Sequence, residues 1–263
     1  MYNIIRSVNF STRRNMAVVI TILSMLTGPI LFPLLMGLPL KELGPDLYFS
    51  TFLGELAMIW IFPVMILSAI VSSGDAGDRT INYEILAGRG RKRIFAARTV
   101  NGLVWGAGIS AFFLYLPLLY LGLLNGWPFA GLNVGDVILR ILLSLLPMAR
   151  LAAFIIMLSV LFRSAGKGIG FGYLILEVLI MIYEIIADLL DGFDGFWMTG
   201  MYSMLKAVSV DNSRDFMIEG ERVTVYETAL KPDVVIPIVL SSLLMTGVYL
   251  GIAYLDFVKR DRD

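Results

Sequence analysis

Long apolar runs separated by short polar segments dominate the sequence, and their lengths indicate the fold. Six such runs lie at about 16–40, 51–73, 100–124, 137–162, 168–190 and 234–257. Each is close to the roughly 20 residues that an α-helix needs to cross a bilayer. The runs lack the polar face that a soluble helix would carry. The pattern predicts an all-α membrane protein with six transmembrane helices in a single domain, residues 1–263.

The composition supports this interpretation. The chain is 58% hydrophobic and 16% charged, with a mean hydropathy of +0.81. A soluble core of this length could not bury that much apolar surface, so lipid must cover part of it. Arginines precede the first run, as in a signal peptide. That run is too long and lacks a small-residue cleavage pattern, so we expect it to be retained as the first span.

The distribution of lysine and arginine predicts the orientation. One set of polar segments is strongly basic and contains Arg6, Arg13, Arg14, Arg79, Arg89, Arg91, Lys92, Arg93, Arg98, Arg163, Lys167, Lys259, Arg260 and Arg262. The opposite set has one lysine in its first loop, none in its second and four basic residues in a long third loop, where length weakens the charge rule. Basic segments stay in the cytoplasm, so both termini are predicted to be cytoplasmic.

Two of the connecting segments are long enough to fold. The cytoplasmic one, 74–98, has Ile81, Ile85 and Leu86 at helical spacing, which predicts a short amphipathic helix near residues 80–87, ended by Gly88. The outer one, 191–233, begins with an amphipathic helical pattern of apolar residues: Trp197, Met201, Met204, Leu205 and Val208. Its later part, 215–227, reads as two short strands that turn at Gly220.

Several kinds of chemistry are excluded by residue types. The chain has no Cys and no His, which rules out thiolate chemistry, imidazole catalysis and zinc sites built on these residues. The nearest match to a phosphate-binding loop, at residues 164–168, lacks the first glycine and the final hydroxyl. The formal net charge is zero, which argues against a nucleic-acid partner. We therefore expect no enzyme activity, cofactor or metal site on this chain.

Two stretches resemble the membrane subunit of type 2 ABC exporters. The first runs from Asp78 to Arg98 and matches the family pattern of an acidic residue, Gly-Thr-Ile, a leucine and then basic residues before the third span. Arg79 stands where the family usually has the glycine. The second is the ending at 254–261, similar to the family's Phe-x-Lys/Arg-Arg-Asp after the sixth span. The six-span topology agrees along the whole length.

The resemblance implies a bacterial cell-membrane permease subunit, multi-pass, that carries no catalytic residue. Two separate ABC ATPase subunits would supply energy and would hold the ATP and magnesium. A second permease copy, as a homodimer, would complete the path for an amphipathic cargo such as a peptide toxin, antimicrobial peptide or lipid-like drug. The residues expected to dock the ATPase lie in the coupling helix between spans two and three: Thr80, Ile81, Tyr83, Glu84, Ile85 and Leu86. The segment 2–10 is expected to lie at the inner membrane interface.

Ionisable residues inside the predicted spans are candidate functional groups, because charges at bilayer depth are costly unless paired or hydrated. They are Glu55, Arg140, Arg150, Glu177, Glu184 and Asp188. Counting along the antiparallel fourth and fifth spans places Arg150 between the levels of Glu177 and Glu184, and Arg140 near Asp188. We expect ion pairs between these two spans. They either fix helix packing or line a substrate path, and Glu55, which has no obvious partner, favours the path.

Two rival functions stay open on the sequence alone. The acidic residues Asp188, Asp191 and Asp194 are compatible with a metal-dependent intramembrane enzyme. A non-transporting membrane anchor subunit would also account for the spans. Independently of function, Gly102 with Gly106 and Gly168 with Gly172 have the small-xxx-small spacing that lets membrane helices approach closely.

Overall fold

The structure is a computed structural model, and it describes residues 2–35, 57–73, 88, 90–125, 134–189, 201, 213–218, 221–226, 230 and 232–259. The helices of these segments are α1 (Tyr2–Arg14), α2 (Met16–Leu35), α3 (Ala57–Ser73), α4 (Arg91–Leu103), α5 (Ser110–Asn125), α6 (Val134–Leu161), α7 (Ala165–Leu189) and α8 (Pro232–Lys259). A π-helical segment, Val104–Ile109, joins α4 to α5, so these two form one long helix. Strands β1 (Ser213–Ile218) and β2 (Glu221–Tyr226) complete the described elements.

Among the described residues, four helical segments are long and apolar enough to cross a membrane: Arg91–Leu116, Val137–Leu161, Ala165–Ile182 and Val235–Lys259. Two shorter apolar helical segments, Met16–Thr27 and Ile61–Ser72, fall within the predicted first and second spans. The predicted helical membrane-protein fold is therefore confirmed at this level. The count of six spans, the cytoplasmic location of both termini and the coupling helix stay predictions.

Helix α6 is the centre of the bundle, because it packs against α3, α4, α7 and α8. Its segment from Leu151 to Ser159 is buried at every position. Apolar side chains occur all around this stretch, as expected of a helix enclosed by other helices rather than facing one core. Helix α3 packs against α6 and also contacts α2, α4 and α7. These two helices form the interior on which the others are placed.

Helix α4 begins earlier than the sequence predicts. Gly90 has an extended backbone, and the helix starts at Arg91 rather than near residue 100. Ile94 and Phe95 are buried in the bundle, so this turn of helix gains enough apolar contact to extend the span into basic sequence. The prediction that the cytoplasmic loop continues to Arg98 was wrong. That arginine lies within α4 and is only 3% exposed.

The first glycine pair lies where α4 and the π-helical segment meet their neighbours. A Cβ added to Gly102 would lie 2.9 Å from Cδ1 of Ile156 in α6. One added to Gly106 would lie 2.8 Å from Cβ of Ser68 in α3 and 3.1 Å from Cβ of Ala152 in α6. Gly106 therefore requires glycine's small size, whereas at Gly102 the flexible end of the Ile156 side chain would have to move; the predicted close helix contact is confirmed.

The second glycine pair brings α6 and α7 together. A Cβ on Gly168 would meet the hydroxyl of Ser159 and would lie 2.9 Å from that residue's Cα. A Cβ on Gly172 would meet Cδ1 of Ile155. Backbone lies against backbone at Gly168, which makes it the tightest of these contacts. The predicted small-xxx-small packing is confirmed here as well.

The N-terminal helix α1 docks onto α4 through one amphipathic face. Ile4 and Val8 on this face are buried. The indole Nε1 of Trp105 donates a hydrogen bond to Oδ1 of Asn9 at 2.7 Å, and Nδ2 of Asn101 donates to the carbonyl oxygen of Ile5 at 3.3 Å. Buried polar groups that find partners hold two elements in a defined register. The start of the chain is thus attached to the bundle rather than lying apart from it.

The segment 191–233 contains the hairpin that the sequence predicts. Strands β1 and β2 pair antiparallel, with Ser213 opposite Tyr226 and Ile218 opposite Glu221. The two residues between them, including Gly220, lie outside the described residues. Of the amphipathic pattern at 197–208, only Met201 is described, and it is helical and buried.

Candidate functional site

The predicted site residues are only partly within the described structure. The whole coupling segment, Thr80 to Leu86, lies outside it, as does Glu55. The backbones of Glu184 and Asp188 belong to α7, but their side chains are outside the description. Gly88, which follows the coupling segment, has φ +78°, a conformation that commonly ends a helix. The described candidates are therefore Arg140, Arg150 and Glu177.

Both predicted arginines are buried in α6. Arg140 is 2% exposed and Arg150 is 7% exposed. Each makes a polar or electrostatic interaction. Helix α6 is central, so neither guanidinium reaches lipid directly, in keeping with the cost of a charge in the bilayer core. The burial of these two residues is the kind of enclosed charge that the sequence predicts.

Helix contacts fix the levels of the charged residues in α6 and α7. Gly168 meets Ser159 and Gly172 meets Ile155, so the two helices run antiparallel. Continuing five residues in each direction brings Arg150 to the level of Glu177. The sequence prediction placed Arg150 slightly further along α7, between the levels of Glu177 and Glu184. The ion pairs between α6 and α7 themselves stay predictions.

Glu177 lies on a different side of α7 from the glycines that touch α6. At 100° per residue, it is about 140° around the helix from Gly172. The residue one turn before it, Tyr173, makes a stacked contact with Phe62 of α3, with ring centroids 5.0 Å apart. Glu177 is therefore placed near the junction of α3 and α7.

The carboxylate of Glu177 is partly enclosed there. The Tyr173 hydroxyl interacts with it electrostatically. Its Oε1 atom is buried, and within the described residues it has no hydrogen-bond partner. The aromatic pair beside it stays accessible, since Phe62 is 38% exposed and Tyr173 is 36% exposed. This arrangement combines a carboxylate, a hydroxyl and two rings on one surface of an apolar helix pair.

A second charged region, which the sequence analysis did not identify, lies where α4 meets α8. The ring of Phe95 contacts Tyr254 and Phe257, with centroid distances of 5.5 and 5.6 Å. Asp256 lies between those two aromatic residues in α8, and Arg98 is one turn beyond Phe95 in α4. Both take part in interactions within the bundle. The available signal was Asp256 itself, which falls at the end of the predicted span 234–257 but was not counted among the charges inside the spans.

The described residues contain no group of three or more His, Cys, Asp or Glu side chains that could hold a metal ion. Asp191 and Asp194, on which the alternative of a metal-dependent enzyme depends, lie outside the described residues. Comparisons of the chain with family models, with curated proteins and with solved structures found no match.

Proposed function

We propose that this chain is the transmembrane permease subunit of an ATP-driven ABC exporter. The observation that carries the proposal is the segment 78–98, which runs from the connection after α3 into the first turns of α4 and resembles the ATPase-coupling segment of type 2 exporters. The resemblance at 254–261, which begins within the last turns of α8, supports the same assignment. The chain supplies the membrane path, and ATP and magnesium bind to separate ATPase subunits.

The packing around the proposed coupling segment suits this function. The segment joins α3 to α4, and these two helices pack against each other and against the central helix α6. A displacement of the segment by ATP-driven closure of the ATPases would pull on both helices together. Closely packed helices transmit such a movement because their interfaces do not deform continuously. This link would switch a path between inward and outward access.

The transporting unit is proposed to contain two permease copies and two ATPase subunits. Helices α7 and α8 present many exposed apolar side chains, such as Leu174, Leu179, Leu240 and Leu244, that lipid or a second copy would cover. An amphipathic cargo fits this apolar environment. We propose that this unit lies in a bacterial cell membrane.

Co-purification tests the proposal. The chain is expressed together with the ABC ATPases encoded in the same genome, and complex formation and ATP turnover are measured in lipid. Ile85→Asp places a charge on the predicted apolar docking face, and Glu84→Lys reverses the charge of the neighbouring residue. Both variants are expected to lose the ATPase while membrane insertion is unchanged.

Two matched variants serve as controls. Ile85→Leu keeps an apolar side chain at the docking position, and Glu219→Lys makes the same charge reversal in the segment between β1 and β2. Both are expected to retain the ATPase. If no ATPase co-purifies with the wild-type chain, or if all four variants bind alike, the exporter proposal is wrong.

A further inference from the structure

Glu177 is an acidic side chain within an apolar helical segment, a position that helix packing alone does not explain. It belongs to Ala165–Ile182, one of the segments that are apolar and long enough to cross a membrane. An ionisable residue at such a position is retained only if it is partnered, hydrated or used. The Tyr173 hydroxyl, one helical turn earlier, interacts with the carboxylate. Its buried Oε1 still has no hydrogen-bond partner among the described residues.

The surroundings of Glu177 determine which ligand it would attract. Phe62 and Tyr173 stack with an interplanar angle of 28°, and both remain more than one-third exposed. Aromatic faces attract cations, and a ligand cation that also meets a carboxylate gains both interactions in a medium of low dielectric constant. The rings equally accept apolar groups attached to that cation.

The geometry points to a binding site for a hydrophobic organic cation, formed by Glu177, Tyr173 and Phe62 at the junction of α3 and α7. The carboxylate binds the positive charge, the Tyr173 hydroxyl orients the carboxylate, and the stacked rings contact the apolar part of the ligand. This inference rests on the proposed export function. It adds that the cargo is cationic and amphipathic.

The same helix carries an internal comparison. Phe171 of α7 stacks on Phe162 with ring centroids 4.7 Å apart, and both rings are exposed. No carboxylate is described beside this second pair. If aromatic stacking alone made a binding site, the two pairs would bind equally. The presence of Glu177 beside only the first pair predicts that cations bind there.

The test uses the purified full chain in nanodiscs of phosphatidylcholine, a lipid with no net charge. Equilibrium binding is measured for tetraphenylphosphonium, a hydrophobic cation, and for tetraphenylborate, an anion of nearly the same size and shape. Empty nanodiscs give the background from partitioning into lipid. The wild-type chain is expected to bind the cation saturably and the anion only at background.

The variants separate charge from shape. Glu177→Gln is expected to weaken cation binding at least about tenfold, because the attraction of the carboxylate is lost while its size is kept. Phe62→Leu, which keeps the carboxylate, is expected to weaken it about three- to tenfold. Phe171→Ala, the matched aromatic control, is expected to leave it unchanged.

Three results would overturn the site: no saturable cation binding by wild type, equal cation affinity in wild type and Glu177→Gln, or saturable binding of the anion as well. Size-exclusion profiles and melting temperatures check that each variant is folded. If Glu177→Gln fails to fold, Phe62→Leu decides the question. The assay contains neither ATP nor an ATPase, so its failure is distinct from a failure of co-purification, which concerns the segment 80–87.

Discussion

Adding one methyl group at Gly168 is predicted to destabilise the bundle. A Cβ there would lie 2.9 Å from Cα of Ser159, well inside the ordinary contact distance of 3.4–4 Å, and would also meet the serine hydroxyl. The obstacle is backbone, so α6 and α7 must separate by several tenths of an ångström. Overpacking of this kind costs about 1–3 kcal/mol.

A second effect opposes this cost, since alanine favours a helix over glycine by about 1 kcal/mol. The net loss for Gly168→Ala is therefore up to about 2 kcal/mol. For a chain of this length this corresponds to a fall of up to about 8 °C in melting temperature. The assay heats the detergent-solubilised protein and measures the remaining monodisperse fraction by size exclusion.

Gly170→Ala is the matched control in the same helix. Nothing lies within 4 Å of a Cβ at that position, so only the gain in helix propensity applies, and the melting temperature should stay level or rise. Gly168→Ala should therefore be less stable than Gly170→Ala by about 1–3 kcal/mol, and the packing argument is refuted if the two variants are equally stable.

Two further predictions concern single buried hydrogen bonds. Trp105→Phe removes the hydrogen bond to Asn9, which is worth about 1 kcal/mol, so amide hydrogen exchange within α1 should accelerate about fivefold. Asn9→Ala should have the same effect. Unchanged exchange in both variants would show that this bond does not hold α1 in place. Tyr115→Phe removes the 2.5 Å bond from the buried Tyr115 hydroxyl to Oγ of Ser144. The Ser144 hydroxyl still donates to the carbonyl oxygen of Ile141, so the free energy of unfolding should fall by about 1 kcal/mol, or the melting temperature by about 2–4 °C. An unaltered melting temperature would contradict this prediction.

The sequence predicts the helical membrane architecture well, because its signals are local. Apolar length marks the spans, and glycine spacing marks the close contacts at Gly102, Gly106, Gly168 and Gly172. The hairpin was also predictable, since alternating residues around Gly220 are a local pattern. Each of these inferences needs only residues that are near one another in the chain.

The sequence did not predict how far burial extends into basic sequence. A cluster of cations normally marks the end of a span, so Arg98 was assigned to a loop. Arg98 is buried because the apolar contacts of Ile94 and Phe95 extend α4 along α8 and α6. Counting charges cannot detect the burial of Arg98, because the contacts that offset its cost come from helices distant in the chain.

The surroundings of the candidate site were out of reach for the same reason. Glu177 was identified as a membrane carboxylate by its position in an apolar run. Phe62, which completes the aromatic pair with Tyr173, is more than a hundred positions away, and no spacing rule connects the two. The contact exists because α3 packs beside α7. A sequence indicates which charges are unusual, whereas their neighbours depend on tertiary packing.

The most direct test of the central claim, that an ATPase docks on the segment between α3 and α4, is site-specific cross-linking. The chain has no cysteine, so a single introduced cysteine is a unique label. Ile85→Cys, carrying a photoreactive maleimide, is predicted to cross-link to a co-expressed ABC ATPase, whereas Val223→Cys in β2 should not. Cross-linking from neither position, or equally from both, would contradict the account.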